Sequence, residues 1–359
     1  MAGLFDQIGR EWHRRVENLR EYEVLTDGEN GDAGFYDAHL FRSDYDRARQ
    51  LQHRLLAAYR DTPLDALFDG REERTDAGTC YGIESSEPLA MQPADRERVR
   101  AAILGDLTLV RGVGDRTEAR LRQVGYQTIT DLTRHPRYGS NADHILRTLA
   151  FGTTADLMQH IARRHQASHP LVLAASRFHD PEDFVFLDIE TLGLFSRPII
   201  LIGVAEMSGA AIVVRQYLLR GIDEEEAALS AAVERLARES ACLVTFNGRA
   251  FDIPYIQDRL AYYGIGADLC MPHFDALHFS RRCWRKKVAS CRLTALERAI
   301  FGIERRDDVP SAMVPKFYEA YLRTGNPGPL VPVVEHNHQD LITLARLFTH
   351  LREEWDGST

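Results

Sequence analysis

Apolar positions along this chain follow two periods. From residue 184 onward, short continuous apolar runs dominate: FVFLDI (184–189), IILIGVAEM (199–207) and IVVRQYLL (212–219). Their length and β-branched content predict three consecutive buried strands. DEEEAALSAAVERLARES (223–240) changes to the helical period. Its acids fall in the first turn, where the helix dipole favours them, and Leu229, Val233 and Leu236 form a stripe. CLVTF (242–246) predicts a fourth strand, FDIPYIQDRLAYYG (251–264) a second helix and MPHFDAL (271–277) a fifth strand. A helix around 336–353 closes the pattern.

Upstream the chain is charged and helical in period. In LFRSDYDRARQLQHRLLAAYRDTP, Leu51, Leu55 and Leu56 share a face, and Pro63 stops the helix. Residues 64–95 are mixed and rich in turn formers, and yield no single element. Residues 1–95 are expected to be a mainly helical region without identifiable chemistry. A second, helical domain is expected over 96–175. SRFHDPED (176–183) reads as a linker, and an α/β domain follows over 182–354.

Composition narrows the class. The 359 residues have an apolar fraction of 44%, enough for a true core, and the length suits two or three domains. A formal charge of −9 argues against a general coating of nucleic acid but leaves local basic patches open. The five cysteines are scattered without a C-x-x-C, which fits a reducing compartment. Cys270, His273, His278, Cys283 and Cys291 cluster in sequence, but their spacing matches no common zinc pattern, so buried free thiols are expected. No run approaches the roughly 18 apolar residues of a membrane span. The expectation is a soluble, cytoplasmic protein.

Two basic stretches suggest contact with phosphates. In LVRGVGDRTEARLRQVGYQTITDLTRH (109–135), Gly112-Val113-Gly114 interrupts a helical pattern and a new helix follows from about 115 to 124. This resembles a helix-hairpin-helix unit. Glycines there would let backbone N–H groups and a helix N-terminus approach a nucleic-acid backbone, with Arg111, Arg116, Arg120 and Arg122 nearby. A plain helical packing unit with a glycine turn has the same pattern. RRCWRKK (281–287) sets five positive charges around Trp284. Trp284 could stack a base and Arg285 could meet a phosphate; a solvated basic helix face is the alternative.

The candidate chemistry lies in the acids. Asp188 and Glu190 sit at the end of the first strand of the α/β domain, separated by one residue, so both carboxylates share one face. Like charges held that close need a proton or a cation between them. Asp252 follows an Asn247-Gly248 turn and opens a helix just beyond a strand's C-terminus, the edge where α/β sheets build sites. His336 and Asp340 lie four apart and share a helix face. Each feature alone also fits an ordinary surface role.

As a set, with an element order like that of the RNase H-like fold, they resemble the DEDD (DnaQ-like) superfamily of 3′–5′ exonucleases. LDIET matches its first motif, NGRAFD its second, and His336 with Asp340 its third. Within it the chain is most similar to the YprB-type ribonuclease H-like family, through DALHFSRRCW, CRLTALERAIFGIERRDDVPSAMVPKFYEAYLRTG and HNHQDLITLARL. The second motif is also similar to that of the proofreading domain of family B DNA polymerases. The resemblance spans residues 182–352. It departs from the histidine subtype, which has His five residues before the last Asp, where this chain has Glu335. His336 stands in the spacing of the tyrosine subtype and is taken as the functional equivalent.

The resemblance implies an RNase H-like mixed sheet flanked by helices, and a two-metal nuclease using Mg²⁺ or Mn²⁺, two ions per site. Hard carboxylate oxygens suit those ions. Asp188 would bridge both ions, Glu190 and Asp340 would hold the one carrying the attacking water, and Asp252 the other. His336 would take the proton from that water. Thr191 and Leu192 would touch the terminal nucleotide, and Asn247 would bind substrate or brace its turn. The expected reaction is hydrolysis of DNA from the 3′ end, in a repair setting. RNA trimming on the same site and a non-catalytic DNA-binding adaptor are the alternatives. A helicase partner is suggested by family analogy.

Overall fold

The computed structural model describes residues 34–357 apart from 94, 194–195 and 306–307. Two compact units divide at Gln50, inside a helix Gly34–Ala58 (α1). The second unit, Leu51–Thr359, contains the sheet.

Its seven strands are β1 (Gly70–Thr75), β2 (Gly78–Pro88), β3 (Phe184–Thr191), β4 (Ile199–Ser208), β5 (Ala211–Leu218), β6 (Cys242–Thr245) and β7 (His273–Asp275), in the order β1-β2-β5-β4-β3-β6-β7. β3 runs antiparallel to β4 and parallel to β6, which is parallel to β7. The longer helices are α2 (Arg96–Gly105), α3 (Asp115–Gln123), α4 (Gly139–Phe151), α5 (Thr154–Ala162), α6 (Glu225–Leu236), α7 (Asp252–Tyr263), α8 (Ala276–Trp284), α9 (Val314–Thr324) and α10 (Val331–Gly357). This is an α/β fold of RNase H-like type, with the mixed sheet flanked by helices as the sequence predicts.

The continuous apolar runs become the inner strands because those strands are covered on both faces. From Phe184 to Leu187, β3 is essentially free of solvent. Helix α10 lies across β3, β4 and β5, placing Leu341, Leu344, Ala345 and Phe348 against the sheet. It can come this close because β4 has Gly203, the residue paired with Asp188. A Cβ at Gly203 would collide with Asn337 Oδ1 and sit 2.7 Å from Leu341 Cδ1.

Three expectations change. The stretch up to residue 95, expected to be mainly helical, contributes β1 and β2, and β2 pairs with β5 from Tyr81↔Leu218 to Pro88↔Ala211. GREERT hides its strand because an edge strand needs few apolar residues, and charge there discourages pairing with other chains. SRFHDPED is not an open linker: it forms 3₁₀ turns, and Ser176 and Arg177 are buried. Of the cysteines expected to be buried thiols, Cys270 is exposed and Cys283 and Cys291 are half-buried. Among the described residues no helix is long and apolar enough to cross a membrane.

One buried ion pair ties α6, α7 and β4 together. Glu225 is fully buried, and its carboxylate accepts hydrogen bonds from Arg259 Nε (2.8 Å) and Nη2 (2.6 Å), Tyr263 Oη (2.9 Å) and the backbone N–H of Ile199 (2.9 Å). Removing one partner strands the other charge out of water. Arg259→Met is expected to cost about 3–5 kcal/mol, read as a lower urea midpoint; a change under about 1 kcal/mol would show that Glu225 finds other compensation. Gly203→Ala is expected to lower the melting temperature by forcing α10 off the sheet, and an unchanged melting curve would contradict that packing.

Candidate active site

The site forms where β3 ends. Its pleat puts Asp188 and Glu190 on one face, and the pairing with β4 shifts register between Glu190 and Thr191. Asp252 comes from the first turn of α7, and its Oδ1 accepts the backbone N–H of Ile189 (3.2 Å). That bond fastens the second acidic segment directly to the first. Helix α10 supplies the third segment. His336 and Asp340 share a face, with His336 Nε2 3.5 Å from Asp340 Oδ2 and 3.8 Å from Glu190 Oε1. Between them Asn337, fully buried, donates through Nδ2 to Asp188 Oδ2 (2.7 Å) and to the Asp188 carbonyl (3.1 Å). Asn337 is itself held by Gln216 of β5, whose Nε2 donates to Asn337 Oδ1 (2.8 Å).

The electrostatics follow from this crowding. Burial, then the charges of Asp340, Glu190 and Asp252, push Asp188 well above the usual carboxylate range. Burial also raises Glu190 to about 7, although His336 opposes it. Asp252 rises to about 7, again mainly through burial, despite its backbone hydrogen bonds. For His336 burial acts downward, but Asp340, the hydrogen bond to Asp308 and Glu190 outweigh it and lift the imidazole to about 10.

Buried carboxylates that raise one another's affinity for protons want positive charge, and their hard oxygens fit a divalent cation such as Mg²⁺ or Mn²⁺. Some of that charge is supplied internally. Arg305, nearly buried, pairs with Asp340 through Nη2 and with Glu297 through Nε (2.6 Å). Glu297 is buried and also accepts from Thr343 Oγ1 (2.7 Å). Among the described residues, no three His, Cys, Asp or Glu side chains already stand as a finished coordination shell. Asp188, Glu190, Asp252 and Asp340 are the residues that would hold cations.

Of the twelve residues singled out in the sequence, the five acid and histidine positions converge here. Thr191 and Leu192 lie beside them at the strand end: Thr191 Oγ1 donates to the Gly193 carbonyl (2.9 Å), and Leu192 N–H to that of Pro198 (2.9 Å). Asn247 takes a left-handed conformation (φ 66°), and its N–H donates to Asp275 Oδ1 (2.8 Å), so its backbone braces the turn. Gly112 (φ 90°) and Gly114, the N-cap of α3, form the turn after a 3₁₀ segment, Leu107–Leu109. Trp284 does not offer a stacking face. It is buried, 5.8 Å from and parallel to the ring of His350, because α8 turns it into the core. Arg285, just past α8, is exposed. Asn337, Arg305, Asp308 and Glu297 were not anticipated. Asn337 had only its place between His336 and Asp340 as a signal; the other three lie in the ERAIFGIERRDDVP stretch, where charge has no period.

A cavity of about 520 Å³ adjoins the site, lined among others by Ile83, Gln216, Arg305, Asp308, His336 and His338. Ile83 belongs to β2, so the added hairpin supplies one wall.

The fold and this carboxylate cluster define an RNase H-like domain. Residues 185–352 match the family model of the RNase_H superfamily. The chain is also 29% identical over 200 residues to "Uncharacterized protein YprB" of Bacillus subtilis (strain 168), over 52% of this chain and 45% of that protein. It thus spans less than half of that relative's length.

The floor of the Asn247 turn contains one more titratable group. His273 of β7 pairs through Nε2 with Thr245 Oγ1 of β6 (2.8 Å), and burial, then Arg249 and His278, depress its pKa to about 3. A depressed imidazole is neutral when folded, so its contribution to stability is complete above about pH 6.5 and is lost as pH falls toward 3. Below pH 6.5 the wild type is expected to lose up to about 1.4 kcal/mol per pH unit from this group. His273→Asn should flatten that region of a stability–pH profile, and identical slopes would contradict the assignment.

Proposed function

We propose that the chain is a divalent-metal-dependent 3′–5′ exonuclease acting on DNA. The observation that supports this is the meeting of Asp188, Glu190, Asp252, His336 and Asp340, from three separated segments, at one end of the sheet. Bound between these carboxylates, two divalent cations would supply Lewis-acid stabilisation of the attacking and leaving oxygens. The protein's own role is to hold the acids and move a proton. Asn337 fixes Asp188, and the Ile189 N–H fixes Asp252. Cations that neutralise Asp340 and Glu190 would remove much of the charge that holds His336 protonated, leaving its Nε2 able to accept the proton of a water. Thr191, the last residue of β3, and Leu192, just past it, would meet the terminal nucleotide.

DNA is favoured by the Gly112–Gly114 turn. It opens α3 with Gly112 exposed and Gly114 half-buried, and with Arg111 and Arg116 on the surface, a combination suited to sequence-independent contact with phosphates. Action in repair, beside a helicase, fits that substrate.

End-labelled single- and double-stranded DNA and RNA, blocked at either end, should be incubated with Mg²⁺ or Mn²⁺. Metal-dependent shortening of DNA from a free 3′ end is expected. Preference for RNA would make the chain an RNA-trimming enzyme, and no hydrolysis with either ion would leave a DNA-binding adaptor. Asp188→Asn is expected to reduce hydrolysis by about 10³-fold or more with DNA binding retained.

A further inference from the structure

His336 is nearly enclosed, and its two ring nitrogens face different groups. Nε2 faces the carboxylates, 3.5 Å from Asp340 and 3.8 Å from Glu190. Nδ1 lies 2.6 Å from Asp308 Oδ1, the shortest of its polar contacts. Ionised Asp308 can only accept hydrogen bonds, so at this distance Nδ1 must carry the hydrogen. Arg305 Nη1, 3.5 Å from the same nitrogen, is then a neighbour and not a donor to it. A charged ring carries hydrogens on both nitrogens; when it loses one, the hydrogen held on Nδ1 by Asp308 stays and Nε2 is left with its lone pair toward the acidic cluster.

Asp308 is itself held in place. Arg305 Nη1 is 3.9 Å from its Oδ1, while the same guanidinium is anchored on Glu297 and Asp340. Val309, next in the chain, is fully buried and pins the loop to the core. Asp308 is 31% exposed at the cavity wall, against 7% for His336. A surface carboxylate has no need to turn inward to a buried imidazole unless the fold directs it there.

We propose that Asp308 is the positioning residue for His336. It fixes the imidazole as the Nδ1–H tautomer, locks the ring plane, and stabilises the imidazolium formed when Nε2 takes a proton. The proton balance is simple: the O–H bond of the attacking water breaks, an Nε2–H bond forms, and the Nδ1–H stays on nitrogen, facing Asp308. Asp308 neither touches the reacting atoms nor needs to be protonated. This rests on the nuclease reading for its kinetic consequence, but the Asp308–His336 pairing can be tested without activity.

Two measurements test it. In cation-free protein, long-range ¹H–¹⁵N correlation spectra of the histidine rings should show Nδ1 of His336 bearing a hydrogen-bonded proton in the wild type, and that signature should be lost in Asp308→Ala. An Nδ1 resonance untouched by the substitution overturns the proposal whatever the protein does to DNA. With Mn²⁺ and a 3′-terminated oligonucleotide, Asp308→Ala should lower kcat roughly 10–100-fold with KM nearly unchanged. Asp308→Glu should recover some of the loss, and in the His336→Ala background Asp308→Ala should add nothing. Full additivity of the two substitutions, with both variants melting like the wild type, would make Asp308 merely structural and refute the assignment. Absence of hydrolysis by the wild type would refute the nuclease reading and leave the spectra to decide the pairing.

Discussion

Mutual repulsion of carboxylates at the end of β3 is the constraint around which this molecule is organised. A buried acid costs free energy unless something positive or hydrogen-donating meets it, and like neighbours raise that cost. Each neighbour of the cluster answers the demand: Asn337 to Asp188, the Ile189 N–H to Asp252, Arg305 to Asp340, and His336 to Glu190 and Asp340. The arrangement balances charge incompletely, which is the condition under which a divalent cation gains most by entering.

The sheet makes that concentration of charge mechanically sustainable. β3 is buried between β4 and β6; β6 pairs with its first residues, Phe184–Phe186, and β4 holds it as far as Thr191. Glycine at 203 lets α10 descend far enough for Asn337 to reach the Asp188 carboxylate. Asp275 accepts from the backbone N–H groups of Asn247 and Arg249, so one acid outside the cluster sets the turn that leads to Asp252. The added β1–β2 hairpin widens the sheet and walls the cavity beside His336, extending the surface around the site beyond the matched RNase H-like segment.

Arg305 and Asp308 show how a loop without regular structure completes a site that regular elements begin. One guanidinium spans Glu297 and Asp340, which are 43 residues apart in sequence, and its neighbour Asp308 reaches His336. Both side chains come from the same short stretch, so one segment sets the charge at Asp340 and the support of the histidine together.

The residues alone determined a good deal. Continuous apolar runs located β3, β4, β5 and β6 within a residue or two, because strands buried in the sheet are built mostly from apolar residues. The two-residue pleat and the four-residue helical repeat placed Asp188 with Glu190 and His336 with Asp340, since those periods are local properties of the backbone. Only the tertiary structure decided the rest. β1 was invisible because an edge strand can be mostly charged, and β2 because GTCYGIESSEP sets only a short apolar stretch among turn formers. Trp284 looked like a stacking platform until the orientation of α8 turned it inward, and Glu225 looked like a dipole-favoured acid until α7 brought Arg259 to it. Asn337, Arg305 and Asp308 gain their meaning from partners that are distant along the chain, and no local period encodes a contact made across the fold.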